Sequence, residues 1–117
     1  MEENQLIEAT KNGSLEMVGN LVSQGEDVEA ISNVSGLNSL MIASQNGYLQ
    51  IAMFLVENGA NVNGTAILSC LTPLMFASKE GHYDIVKFLL DNEANVNDKV
   101  NNVEEGVFLS PLILGKS

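Results

Sequence analysis

The sequence predicts an all-α solenoid of stacked helix–turn–helix units joined by extended loops, and three observations carry that prediction. The segment Leu40-Met41-Ile42-Ala43-Ser44-Gln45-Asn46-Gly47-Tyr48 recurs as Leu74-Met75-Phe76-Ala77-Ser78-Lys79-Glu80-Gly81-His82, a step of 34 residues. The same step carries Gly59-Ala60-Asn61-Val62-Asn63 onto Glu93-Ala94-Asn95-Val96-Asn97. Upstream, Leu6, Ala9, Gly13, Leu21, Gly25 and Val28 fall on Leu40, Ala43, Gly47, Leu55, Gly59 and Val62. Within each step, apolar residues recur at helical spacing and glycine marks the stops. A period of this size belongs to stacked supersecondary units that bury their faces against one another, not to one globular core.

In the clearest copy, Thr72 precedes Pro73. A threonine hydroxyl accepts from a free helix N–H, and proline is pre-set for the first helical position, so a helix starts here. Leu74 and Ala77 share a face, and the small Ala77 admits a close neighbour. Gly81 ends this first helix through its access to positive φ. In the second helix, Ile85, Val86, Leu89 and Leu90 form a buried stripe, matched by Ile51, Ala52, Leu55, Val56 and by Met17, Val18, Leu21, Val22. Lys87 and Asp91 lie off the stripe and face water. Gly25 and Gly59 stop the second helix, and an extended piece such as Ala60-Asn61-Val62-Asn63 follows.

The chain has 117 residues, enough for one domain. Aromatics are 5 % and Trp is absent, so packing rests on Leu, Ile, Val, Ala and Met. The methionines Met17, Met41, Met53 and Met75 are read as core filler. Formal net charge is −10, with 5 basic against 15 acidic residues. Nucleic acid and anionic membranes are disfavoured partners, because phosphate binding needs clustered Lys and Arg. The single Cys70 forms no internal disulfide and fits a reducing compartment. The acidic start lacks the apolar stretch of a signal peptide, so the expected location is cytoplasmic, with the nucleus open as well.

The residues Thr72-Pro73-Leu74, Ala77, Gly81-His82, Ile85-Val86, Leu89-Leu90 and Ala94-Asn95-Val96-Asn97 resemble the ankyrin repeat. The pattern returns at Leu40, Ala43, Gly47, Leu55 and Gly59 through Asn63, so the resemblance covers nearly the whole chain. It divides residues 1–117, taken as one ankyrin-repeat domain, into units of about 2–32, 33–66 and 67–100, with a partial fourth over 101–117 that restarts at Ser110-Pro111-Leu112. Several departures stand out. The step is one residue longer than the usual 33 of the family. Met41, Met75 and Ile113 replace the family's loop-tying His, Ser39 replaces the Pro, and Glu93 stands where Gly is expected. The apolar run Val107, Phe108, Leu109, Leu112, Ile113 and Leu114 does not make a polar end cap, so the expectation is a fragment of a longer array, a tail that folds back on the third unit, or one that docks on another protein, with self-association if nothing covers it.

The resemblance implies a non-catalytic module that binds another protein through loop tips and the exposed face of the first helices. Carried onto this chain, the contact residues are Lys11 and Asn12 in the first unit; Val34, Ser35, Leu37, Gln45 and Asn46 in the second; and Leu68, Ser69, Leu71, Lys79 and Glu80 in the third. Leu37 and Leu71 either form an apolar stripe or pack on neighbouring loops. The alternative is a regulatory or targeting domain of a larger enzyme or multidomain protein. Asn63 and Asn97 occupy a loop position that can be hydroxylated in the family, although a structural turn role is the plainer reading.

No residue set announces chemistry, and no cofactor or metal is expected. Gly115-Lys116-Ser117 lacks the upstream Gly of a phosphate loop, with Ser110 in its place. His82 is the one histidine, and Asp84 is close to it in sequence, but no nucleophile–base set is present. Cys70 with one His falls short of a metal site and is expected to be a passive small residue. Glu26, Asp27 and Glu29 lack the spacing of a calcium loop.

Overall fold

The computed structural model describes residues 3–96. Asn97, the restart at Ser110-Pro111-Leu112, the apolar run 107–114, Gly115-Lys116-Ser117 and the partial fourth unit lie outside the described residues. Six helices form three antiparallel pairs: α1 (Gln5–Lys11) with α2 (Leu15–Ser23), α3 (Ser39–Asn46) with α4 (Leu49–Glu57), and α5 (Pro73–Lys79) with α6 (Tyr83–Asp91). The first helices stack as α1 on α3 on α5, and the second helices as α2 on α4 on α6.

Four of the six described helices start where a side chain accepts from their free N–H groups, whereas α4 and α6, which follow Tyr48 and His82, have no side-chain cap. Thr72 Oγ1 accepts from Met75 N–H at 3.2 Å, with Pro73 in the first helical position. Asn38 does the same for α3, accepting from Met41 N–H at 2.9 Å, so α3 is capped although Ser39 stands where the Pro would be. Asn4 accepts from Leu6 and Ile7, and Ser14 from Met17. Such caps contribute about 1 kcal/mol each. The first helices end before Gly13, Gly47 and Gly81, all with positive φ, which turns the chain sharply into the second helix.

The core repeats with the sequence. Leu6, Leu40 and Leu74 are buried in register, as are Ala9, Ala43 and Ala77 beneath them. Leu21, Leu55 and Leu89 do the same from the second helices. Truncating one such Leu costs about 2–5 kcal/mol, since it loses apolar burial and leaves a cavity.

Met41 and Met75 are buried, but Met53 is half-buried and Met17 is 51 % exposed, which corrects the core-filler reading. The reason is positional. Ile51 and Ile85, one and two steps on, are buried with an earlier unit beside them, whereas no described unit precedes α2 to cover Met17. With Gln5, Glu8 and Asn12 it lines the outer face of the first described unit.

Candidate protein-binding surface

The extended loops between pairs close into tight hairpin tips. Before α3, Ser32 N–H donates to Leu37 O at 2.8 Å and Gly36 N–H to Ser32 O at 3.0 Å. The Ser32 hydroxyl accepts from Val34 and Ser35 N–H, each at 3.0 Å. Before α5, Ala66 N–H donates to Leu71 O and Cys70 N–H to Ala66 O, both at 2.9 Å. The closing bonds are the same, one step apart. Met41 replaces the family's loop-tying histidine with apolar packing: it sits with Ala66 and Phe76 in a small buried cluster.

That cluster decides the place of Leu37 and Leu71. Both are half-buried and pack against it, so they hold the base of the hairpins rather than project as a stripe. The projecting apolar residues are at the tips: Val34 is 77 %, Leu68 82 % and Ile67 63 % exposed. Ile67 has no apolar counterpart, since Asn33 stands one step earlier, and register alone therefore passes over it. The two tips touch. A Cβ built on Gly36 would lie 3.5 Å from Ile67 Cβ and 4.0 Å from Leu68 Cγ.

The other carried-over positions are distributed along the first helices and tips. Lys11, Asn12, Asn46, Ser69, Lys79 and Glu80 are exposed, while Ser35 and Gln45 are half-buried. Lys11 Nζ lies 3.4 Å from the Glu3 carboxylate. Glu3 also accepts from the Ser32 hydroxyl at 2.6 Å and from Asn33 N–H at 3.2 Å. The Ser32 hydrogen bond is the main cause that holds the Glu3 carboxyl below its ordinary range; partial burial opposes it, and Asn33 and Lys11 add to it. The chain before α1 is thus latched to the first tip.

Side chains tie each unit to the main chain of its neighbours, Tyr48 and His82 to the preceding unit and Glu29 and Asn63 to the following one. Tyr48 Oη donates to Lys11 O at 3.4 Å, and one step later His82 Nε2 is 3.1 Å from Gln45 O. Both rings lie against the preceding turn glycine, Gly13 and Gly47, where a Cβ would meet ring atoms at 3.0 and 2.8 Å. His82 is therefore a spacer between units. The neighbouring Asp84 carboxylate accepts from Ile85 N–H instead of addressing the ring. On the opposite loops, Glu29 Oε2 accepts from Asn61 N–H at 2.7 Å, and Asn63 Oδ1 accepts from Asn95 N–H at 2.7 Å. Asn63 Nδ2 donates to Glu93 O at 3.3 Å, a structural turn role. Asp27 likewise shapes its own turn by accepting from Glu29 N–H at 2.9 Å.

Cys70 is an exposed thiol at the second tip. No group of His, Cys, Asp or Glu able to hold a metal occurs among the described residues. No described helix is long and apolar enough to cross a membrane.

A search of curated proteins returned no significant match. The family model of ankyrin repeats, in three copies, matches residues 6–100. Helix pairs in a fixed register, hairpin tips closed by the same bonds and a match over most of its length place this chain in the ankyrin-repeat family, whose members are generally protein–protein interaction modules.

Proposed function

We propose that the chain is a non-catalytic protein-binding module whose partner rests on the loop tips and on the exposed ends of the first helices. The observation that carries this reading is the pair of touching tips with Val34, Ile67 and Leu68 exposed on hydrogen-bonded loops. Apolar side chains on a backbone already ordered bind at a smaller entropic cost than the same side chains on a mobile loop. Ser35 and Ser69 on the same loops, and Asn46, Lys79 and Glu80 at the far ends of α3 and α5, add polar groups of the kind that accompany apolar anchors in protein interfaces.

The test is a pull-down with the folded chain, followed by affinity measurement on the partner recovered. The combined change Val34→Ser, Ile67→Ser and Leu68→Ser should weaken binding by about thirtyfold, the loss of about 2 kcal/mol of anchor energy. Lys87→Ala and Asp91→Ala, on the exposed side of α6, should leave it intact. Loss of binding in the α6 variants with retention in the tip variant would refute the reading.

A further inference from the structure

A groove of about 450 Å³ runs between α2 and α4, on the second-helix side of the stack. Its apolar lining comes from Leu15, Met53 and Phe54, with Gly19 in the middle of α2 opposite Phe54. Leu15 is 42 % exposed, although leucine is normally driven to burial. Glycine is unfavourable inside a helix. Packing does not require it here, because a Cβ on Gly19 would come no closer than 4.0 Å, to Phe54 Cζ. The repeat shows what the position ordinarily carries: one and two steps on stand Met53 and Lys87. Gly19 is thus the residue that keeps this groove open.

The rim is acidic. Glu16 and Glu57 line the groove, and neither α2 nor α4 carries a lysine. The one lysine of the second helices, Lys87 on α6, is held by Asp91 at 3.2 Å. We infer that this groove is a second docking site, which takes a short apolar segment of a partner flanked by lysine or arginine. The apolar side chain enters over Gly19 against Phe54, and the flanking cations meet Glu16 and Glu57. Charge complementarity selects this occupant over a second copy of the chain, which carries a net charge of −10 and would bring its own acidic rim.

The chain has no Trp, so a tryptophan in a probe peptide reports its own environment. The probe is acetyl-Lys-Lys-Leu-Trp-Leu-Lys-Lys-amide, with a counterpart in which every Lys is Glu. Fluorescence titration should show saturable binding with a blue shift for the Lys-flanked peptide and none for the Glu-flanked one. Gly19→Leu, which fills the groove, and Glu16→Lys with Glu57→Lys, which reverse the rim, should each weaken binding at least about tenfold, the factor that corresponds to about 1.4 kcal/mol. Val34→Ser with Leu68→Ser at the tips should leave it unchanged, which separates this site from the tip surface. If Gly19→Leu fails to fold by circular dichroism, Gly19→Met supplies the residue found at position 53, and the rim variant tests the proposal independently. Any of four results would overturn it: no saturable binding, equal binding of the Glu-flanked peptide, undiminished binding by a folded groove-filled variant, or sedimentation showing self-association that groove filling abolishes.

Discussion

Cys70 holds the backbone conformation that Gly36 holds one unit earlier: φ is 62° at Cys70 and 76° at Gly36. Both close a hairpin by donating their N–H to the residue four positions back, Ala66 and Ser32. Glu93 repeats the case at the end of α6, with φ 73° where Gly25 and Gly59 have 102° and 98°. A residue with a Cβ pays about 1–2 kcal/mol in this region. Replacement by glycine returns part of that gain to the freer unfolded chain. Cys70→Gly and Glu93→Gly should therefore each stabilise by about 0.5–1 kcal/mol and raise Tm by a few degrees, read by circular dichroism. A lower Tm for either would show that the side chain contributes more than the strain costs.

The stack of the His82 ring on Gly47 makes a coupled pair. Gly47→Ala puts a Cβ 2.8 Å from the ring on a residue with φ 82°. It should cost about 2 kcal/mol or more, from strain and overlap together. His82→Ala removes the ring and its bond to Gln45 O, at about 1 kcal/mol. In the His82→Ala background, Gly47→Ala should cost clearly less, because only the φ strain remains. Urea unfolding of the four proteins measures this, and additive costs would place the ring elsewhere.

Acid should loosen the latch before α1. The folded-state pKa of Glu3 is depressed, so its contribution is fully present above the unfolded value of 4.5 and is lost as pH falls through the folded value. Glu3→Gln removes this dependence. Urea midpoints of the two proteins should therefore differ at pH 6 and converge below the folded-state pKa, with the parent falling more steeply. Parallel curves would count against the Ser32 and Asn33 hydrogen bonds to Glu3.

At the opposite loops, Asn63→Ala removes both the acceptor for Asn95 N–H and the donor to Glu93 O. A loss of about 1–2 kcal/mol is expected, from two partly exposed hydrogen bonds. Asn63→Asp keeps the acceptor and should retain the slow hydrogen exchange of the Asn95 amide, which Asn63→Ala should lose. Equal exchange in all three proteins would show that another group covers that amide.

Much of this architecture was legible because it repeats. The 34-residue step, the Thr72-Pro73 start, the turn glycines and the strained place of Glu93 are each set by a local backbone requirement with a residue signature. The missing proline at Ser39 does not weaken the start of α3, because Asn38, the counterpart of Thr72 one step earlier, supplies the cap. Met17 departs from the core because periodicity reports a face, whereas burial needs a neighbour to cover it. At the tips, Leu37 and Leu71 share a loop with Val34 and Leu68. Which of them projects depends on where the hairpin closes, a hydrogen-bonding fact with no period of its own. The ties from Glu29 to Asn61 and from His82 to Gln45 join residues more than 30 apart and leave no local mark.

Those ties end on main-chain groups. Glu29 and Asn63 reach the amides of Asn61 and Asn95, and Tyr48 and His82 reach the carbonyls of Lys11 and Gln45. Every residue but proline presents the same amide, and every residue the same carbonyl. The joint between two units is therefore blind to the identity of the residue it grips. Substitution at the gripped positions leaves these hydrogen bonds in place, so the outward side chains of Lys11, Gln45, Asn61 and Asn95 can diverge from unit to unit without loosening them.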